Sequence, residues 1–187
     1  MDLSPAKLEV LEALFLYDDP VKAAQISKDT GKDRRVVQMH LIGLVRMDYA
    51  ETPKKGLYVV SMKGKEELGL REVTKEKALT IMAKNPPGKS FHFYSEVGKP
   101  LNVYATDLFD FCNKMDKVDV ESIEFHFDRG DFEAWVMFIG DEELSKKMGL
   151  LRRKRIVGKE LCEKIRRVTE HRCRVLAMIA EQANPFP

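Results

Sequence analysis

Cysteine is scarce in this chain: three residues, Cys112, Cys162 and Cys173, with no CxxC pair among them. An odd, widely spaced set of this kind excludes a disulfide framework and a zinc knuckle. It suits a reducing cytoplasm, with the three thiols as small buried apolar side chains. No apolar run approaches the roughly 18 to 20 residues that a membrane helix needs. The start, Met1-Asp2-Leu3-Ser4-Pro5, has neither a basic nor an apolar leader segment, so no signal peptide is expected. Charge of one sign is lacking too, because 32 Lys and Arg against 30 Asp and Glu leave a net +2. A nucleic-acid reading therefore has to rest on where the charges sit. There is no internal repeat and no low-complexity tract. No GxSxG, P-loop, HExxH or GxGxxG run occurs, so no enzyme, cofactor or metal is expected.

What is present is an ordinary globular composition, 44% hydrophobic and 33% charged over 187 residues, enough for one large domain or two small ones. Ser4-Pro5 is a helix start, with a capping side chain ahead of a residue that needs no N–H. Leu8, Leu11, Leu14 and Phe15 follow at helical spacing, and Asp18-Asp19-Pro20 ends the run. A short helix is expected from Val21 to Lys28, with Ala23, Ala24 and Ile26 inward, then a turn closed by Gly31. A further helix is expected from Lys32 to Met47, with Val37, Leu41, Leu44 and Val45 inward. Tyr49–Thr52 and Leu57–Val60 read as strands around a Pro53-Lys54-Lys55-Gly56 tip, and Ser61–Leu68 as a small closing helix.

The unit from Val21 to Leu68 points to a partner. Lys32, Arg34 and Arg35 fall in the first turn of the 32–47 helix and Gln38 one turn on. Spacing turns Arg35, Gln38, Met39, Ile42 and Arg46 outward. Arg grips guanine O6 and N7, and Gln pairs with adenine N6 and N7. Lys22, Lys28, Lys54 and Lys55 suit phosphate contacts, which position without reading sequence. Over about 70 residues the chain resembles the winged-helix transcriptional regulators of bacteria and archaea, archaeal ones in particular. The likeness lies in the 21–31 stretch VKAAQISKDTG, in His40-Leu41-Ile42-Gly43-Leu44 and in the 58–64 stretch YVVSMKG. It implies three helices plus a β-hairpin wing, double-stranded DNA as partner with the 32–47 helix in the major groove, and a homodimer. Met39 and Ile42 on the outward face, with Asp33 beside it, equally allow a winged helix used for protein contact without DNA.

Residues 70 to 83 suggest one more helix, with Val73, Leu79, Ile81 and Met82 apolar, before Asn85-Pro86-Pro87-Gly88 stops regular structure. The expected organisation is thus a DNA-binding domain over 1–70, a connecting helix and linker over 71–88, and an α+β domain over 89–187. In the last, Phe91–Tyr94 and Leu101–Tyr104 read as strands about a Gly98 turn. Thr106-Asp107 caps a helix through Met115, and Ser122–Phe127 alternates as a half-buried strand. Asp131 and Asp141 stand at helix caps, and a long helix runs from Lys159 to Gln182 before Pro185. Its stripe of Leu161, Ile165, Val168, Val175, Leu176 and Ile179 is interrupted by Arg172, too broken for a clean coiled coil.

Charge is segregated in this half. Asp116–Glu143 holds ten acidic residues against Lys117 and Arg129, while Leu144–Arg174 holds twelve basic against three Glu. The blocks suit pairing within the domain or across a dimer. The Arg152-Arg153-Lys154-Arg155 run alternatively extends a DNA footprint. His126 with Asp128, Asp131 and Glu133 allows a metal or acid–base reading, on which the chain would be a small enzyme. Against it, Asp131 as a cap, Glu133 in a first turn and Trp135 packed on the 122–127 strand make the cluster structural. The 125–135 stretch and Ile139–Leu144 resemble a prokaryotic domain family with a strand-borne His, Asp-Phe-x-x-Trp and Gly-Asp-x-x-Leu, over roughly Phe91–Ala180. The likeness implies no activity and leaves dimerisation or a small-molecule or protein effector open.

Overall fold

A computed structural model of the chain describes residues 3–181. It is a mixed α+β protein whose chain divides into two compact units, Met1–Glu72 and Val73–Pro187.

The first unit begins with α1 (Pro5–Phe15). Pro5 occupies the first turn, but Ser4 caps through its backbone oxygen alone, bonded by the N–H groups of Lys7 and Leu8. Val21 and Lys22 are not helical as expected. They form a two-residue strand, β1, and α2 (Ala23–Thr30) starts after them. Gly31, at φ 67°, turns the chain in the left-handed conformation that glycine adopts without a steric cost. Asp33 then accepts from the N–H of Arg35 and of Val36, so α3 spans Arg34–Arg46 and Lys32 falls outside it. Val37, Leu41 and Leu44 are fully buried against α1 and α2, as their spacing requires.

Strands β2 (Ala50–Lys54) and β3 (Leu57–Val60) make the hairpin, and β3 lies between β1 and β2 in an antiparallel sheet. Register shifts between Glu51 and Lys54, where Pro53 has no N–H to give, and the tip is Lys55-Gly56. Helix α4 (Met62–Glu67) closes the unit, capped by Ser61. Its Gly64 is buried so closely that an added Cβ would lie 2.1 Å from the Tyr49 carbonyl oxygen.

The second unit contains α5 (Lys75–Met82), which Thr74 caps and which packs on the long last helix. It is therefore not a connector, and it turns Ala78 and Ile81 inward while Leu79 is exposed. A short 3-10 turn over Pro87–Lys89 leads into the hairpin β4 (Phe91–Glu96) and β5 (Lys99–Ala105). Asp107 caps α6 (Leu108–Met115) through the Asp110 N–H. The 122–127 segment is no strand. It lies inside α7 (Val120–Arg129), with Ser122, Ile123, His126 and Phe127 buried. Spacings of three and four fit those positions as well as alternation fits 123, 125 and 127, and Gly130 at φ 76° supplies the helix stop.

Helices α8 (Asp131–Phe138), α9 (Glu142–Arg153) and α10 (Gly158–Glu181) complete the unit. Gly130, not Asp131, is the cap of α8; Asp141 caps α9 through the Leu144 N–H. Arg172 does not interrupt the buried face of α10 but belongs to it, 4% exposed, with Nε 2.8 Å from one Asp141 oxygen and Nη1 2.9 Å from Glu143. Arg166 pairs with Asp116 and Arg152 with Glu133, so the opposite charge blocks meet within this unit. Cys112 and Cys173 are buried, Cys162 is half-buried, and all three are free. No helix among the described residues is long and apolar enough to cross a membrane. Met1, Asp2, Gln182 and Pro185, used in the sequence reading, lie outside the described residues.

Candidate nucleic-acid interface

The expected site residues fall into three groups, with Lys28 outside them. Arg34 and Arg35 open α3 and are exposed, with no ion pair among the described residues. Lys22, Lys54 and Lys55 form the second group. Lys22 pairs in register with Leu57, which pairs on its other side with Lys54. Side chains in one row of an antiparallel sheet leave from the same face, and two strand spacings put these lysine backbones about 10 Å apart. Lys55 follows at the tip, and all three lysines are exposed. Lys28 stands apart, exposed in the last turn of α2.

Lys32 and Gln38 form the third group, and both are committed to internal bonds. Lys32 lies 2.7 Å from Glu9 in a half-buried ion pair. The Gln38 amide donates one of its two N–H groups to the Tyr58 hydroxyl, which ties α3 to β3 and fixes the side chain's orientation.

Along the outer face of α3 runs an open groove of about 700 Å³. Lys7, Arg35, Gln38, Met39, Ile42 and Arg46 line it, with Ser4, His40 and Gly43 between them. No carboxylate among the described residues lines it, although residues 1–72 contain twelve acidic side chains, as many as basic ones. The unit is neutral, but this face is cationic. Its centre is apolar: Met39 is 61% exposed and Ile42 42%. Lys7 escaped the sequence reading because nothing in α1 alone tells which residue meets α3. Arg46 carried a signal, three turns beyond Arg35 on the same stripe.

The His126 cluster in the second unit is differently built. The Tyr94 N–H donates to His126 Nε2 at 2.8 Å, so that nitrogen carries the lone pair and Nδ1 the proton. Nδ1–H in turn donates to Asp131, 2.8 Å away, which Arg129 also contacts. Both ring nitrogens are thus used, Nε2 to pin β4 to α7 and Nδ1 to tie α7 to the start of α8. Burial holds the His126 pKa below its usual 6.5, against the upward pull of Asp131. Asp128 is exposed, and Glu133 faces Arg152. No group of three or more His, Cys, Asp or Glu among the described residues is placed to hold a metal. Trp135 packs on Phe91 and Phe111, with its N–H on the Lys89 carbonyl. A cavity of about 290 Å³ opens beside this cluster, between Tyr94, Phe125 and Arg129.

Comparison with family models, with characterised proteins and with solved structures finds no match for this chain.

Proposed function

We propose that the first unit is a winged helix-turn-helix that binds double-stranded DNA with α3 in the major groove, and that the chain is a cytoplasmic transcriptional regulator. The observation that carries this reading is the groove on α3, rimmed by Lys7, Arg35 and Arg46 with no carboxylate among the described residues that line it. Cations here release counterions from a duplex, and an exposed helix face is what a major groove admits. The Lys22–Leu57–Lys54 row and Lys55 supply further phosphate contacts from the sheet and hairpin. On this reading the second unit serves dimerisation or effector sensing.

Fluorescence anisotropy of the full chain with labelled genomic duplexes, at low and moderate salt, tests the proposal. Binding should weaken steeply with salt, and an Arg35→Ala, Lys54→Ala variant should bind more weakly, with a slope shallower by about one for the phosphate that Lys54 no longer neutralises. Equal binding by variant and parent at both salts would sink it.

The exposure of Met39 favours a second reading, a protein-docking module. Apolar anchors ringed by cations suit an interface core as well. On that reading the duplex would not compete with the docked protein.

A further inference from the structure

We propose that the α3 face reads thymine through its 5-methyl groups, at the centre of a site bounded by guanines. This rests on the DNA-binding reading above and specifies which sequences the face selects. Arg35, Met39, Ile42 and Arg46 lie on one stripe of α3 and line one groove. From Arg35 to Arg46 the helix advances about 16 Å, close to five base-pair steps. The two guanidinium groups at the ends have no ion pair among the described residues and suit guanine O6 and N7, which they grip with two donors.

Between them on that stripe the two side chains are apolar. Met39 and Ile42 have no hydrogen-bond donor, and Gln38, a side chain suited to adenine, is held by a hydrogen bond from its amide to the Tyr58 hydroxyl. The apolar feature that a major groove displays is the thymine methyl. Its burial against Met39 and Ile42 returns two exposed side chains, at 61% and 42%, to a dry surface. The occupant is a duplex rather than a protein because every charged group among the described residues that line the groove is a cation.

The test selects bound duplexes from a random pool with the full chain, then remakes the best site with uracil for thymine. Uracil pairs identically and lacks only the methyl. Parent protein should lose about fourfold in affinity per methyl removed, the equivalent of one buried carbon. A Met39→Ala, Ile42→Ala variant, at exposed positions and so expected to melt like the parent, should bind both duplexes equally. If the parent binds the selected site but ignores uracil, the thymine reading falls and DNA binding stands. If no duplex is enriched or bound at low salt, both fall.

Discussion

Arg172→Met is the substitution whose effect the structure defines most sharply. Asp141 is fully buried and accepts from both Arg172 Nε and the Leu144 N–H, so it joins α10 to the start of α9. Methionine fills the volume but takes their shared cation from the Asp141 and Glu143 carboxylates, and breaking a buried pair from one side costs about 3–5 kcal/mol. That is a large part of the 5–15 kcal/mol by which domains are typically stable, worth roughly 10–25 °C in Tm at this size. Arg172 Nη2 is itself buried without a hydrogen-bond partner among the described residues, so the intact pair is not a large net gain. An Arg172→Met, Asp141→Asn double variant, which removes the fully buried charge at 141 and can still cap α9, should therefore recover at least half of the loss. Trp135, the single tryptophan, is buried in the same unit, so urea unfolding followed by its fluorescence reports this unit. A loss below about 1 kcal/mol for Arg172→Met, or a double variant weaker than the single one, would refute the reasoning.

His126 makes the second unit acid-sensitive. Its folded pKa lies below 6.5, so as pH falls from there the unfolded chain takes up the proton first. Stability is full above about pH 6.5 and is lost downward until the folded pKa is passed. His126→Gln should flatten that part of a stability-against-pH curve, and an unchanged slope would contradict the assignment. Gly64→Ala should cost about 1–3 kcal/mol or more, because the clash is with the Tyr49 backbone and not with a flexible side chain. Amide exchange in residues 50–60 would then speed up, and unaltered exchange would show that the hairpin yields. Asp33→Ala removes two capping bonds from α3 and should cost about 1 kcal/mol, read as faster exchange at Arg35 and Val36.

The elements legible in the sequence are those with both a period and a punctuation mark. The Val37, Leu41 and Leu44 stripe ahead of a hairpin marks α3 and the 50–60 strands, and Gly98 marks the second hairpin. The 122–127 segment reads as a strand because six residues do not separate a period of two from one of 3.6. Phe125, inward on the strand reading, is half-buried with the Arg129 guanidinium 5.1 Å from its ring. Arg172 looks like a break because its two partners lie about thirty positions away in sequence. For the candidate site, the identity and outward direction of Arg35, Met39, Ile42 and Arg46 follow from helical spacing. The commitments of Lys32 to Glu9 and of Gln38 to Tyr58 do not, since each depends on a neighbour brought near only by folding.

The most direct test of what the α3 face holds places a photocrosslinking benzophenone side chain at position 39 of the full chain, in cells. Met39 is exposed at the middle of the groove, so the substituent leaves the core untouched. Irradiation should give an adduct that nuclease reduces to little more than the bare chain and that protease releases as labelled DNA. A nuclease-resistant adduct with another protein, and no DNA-linked product, would contradict the account.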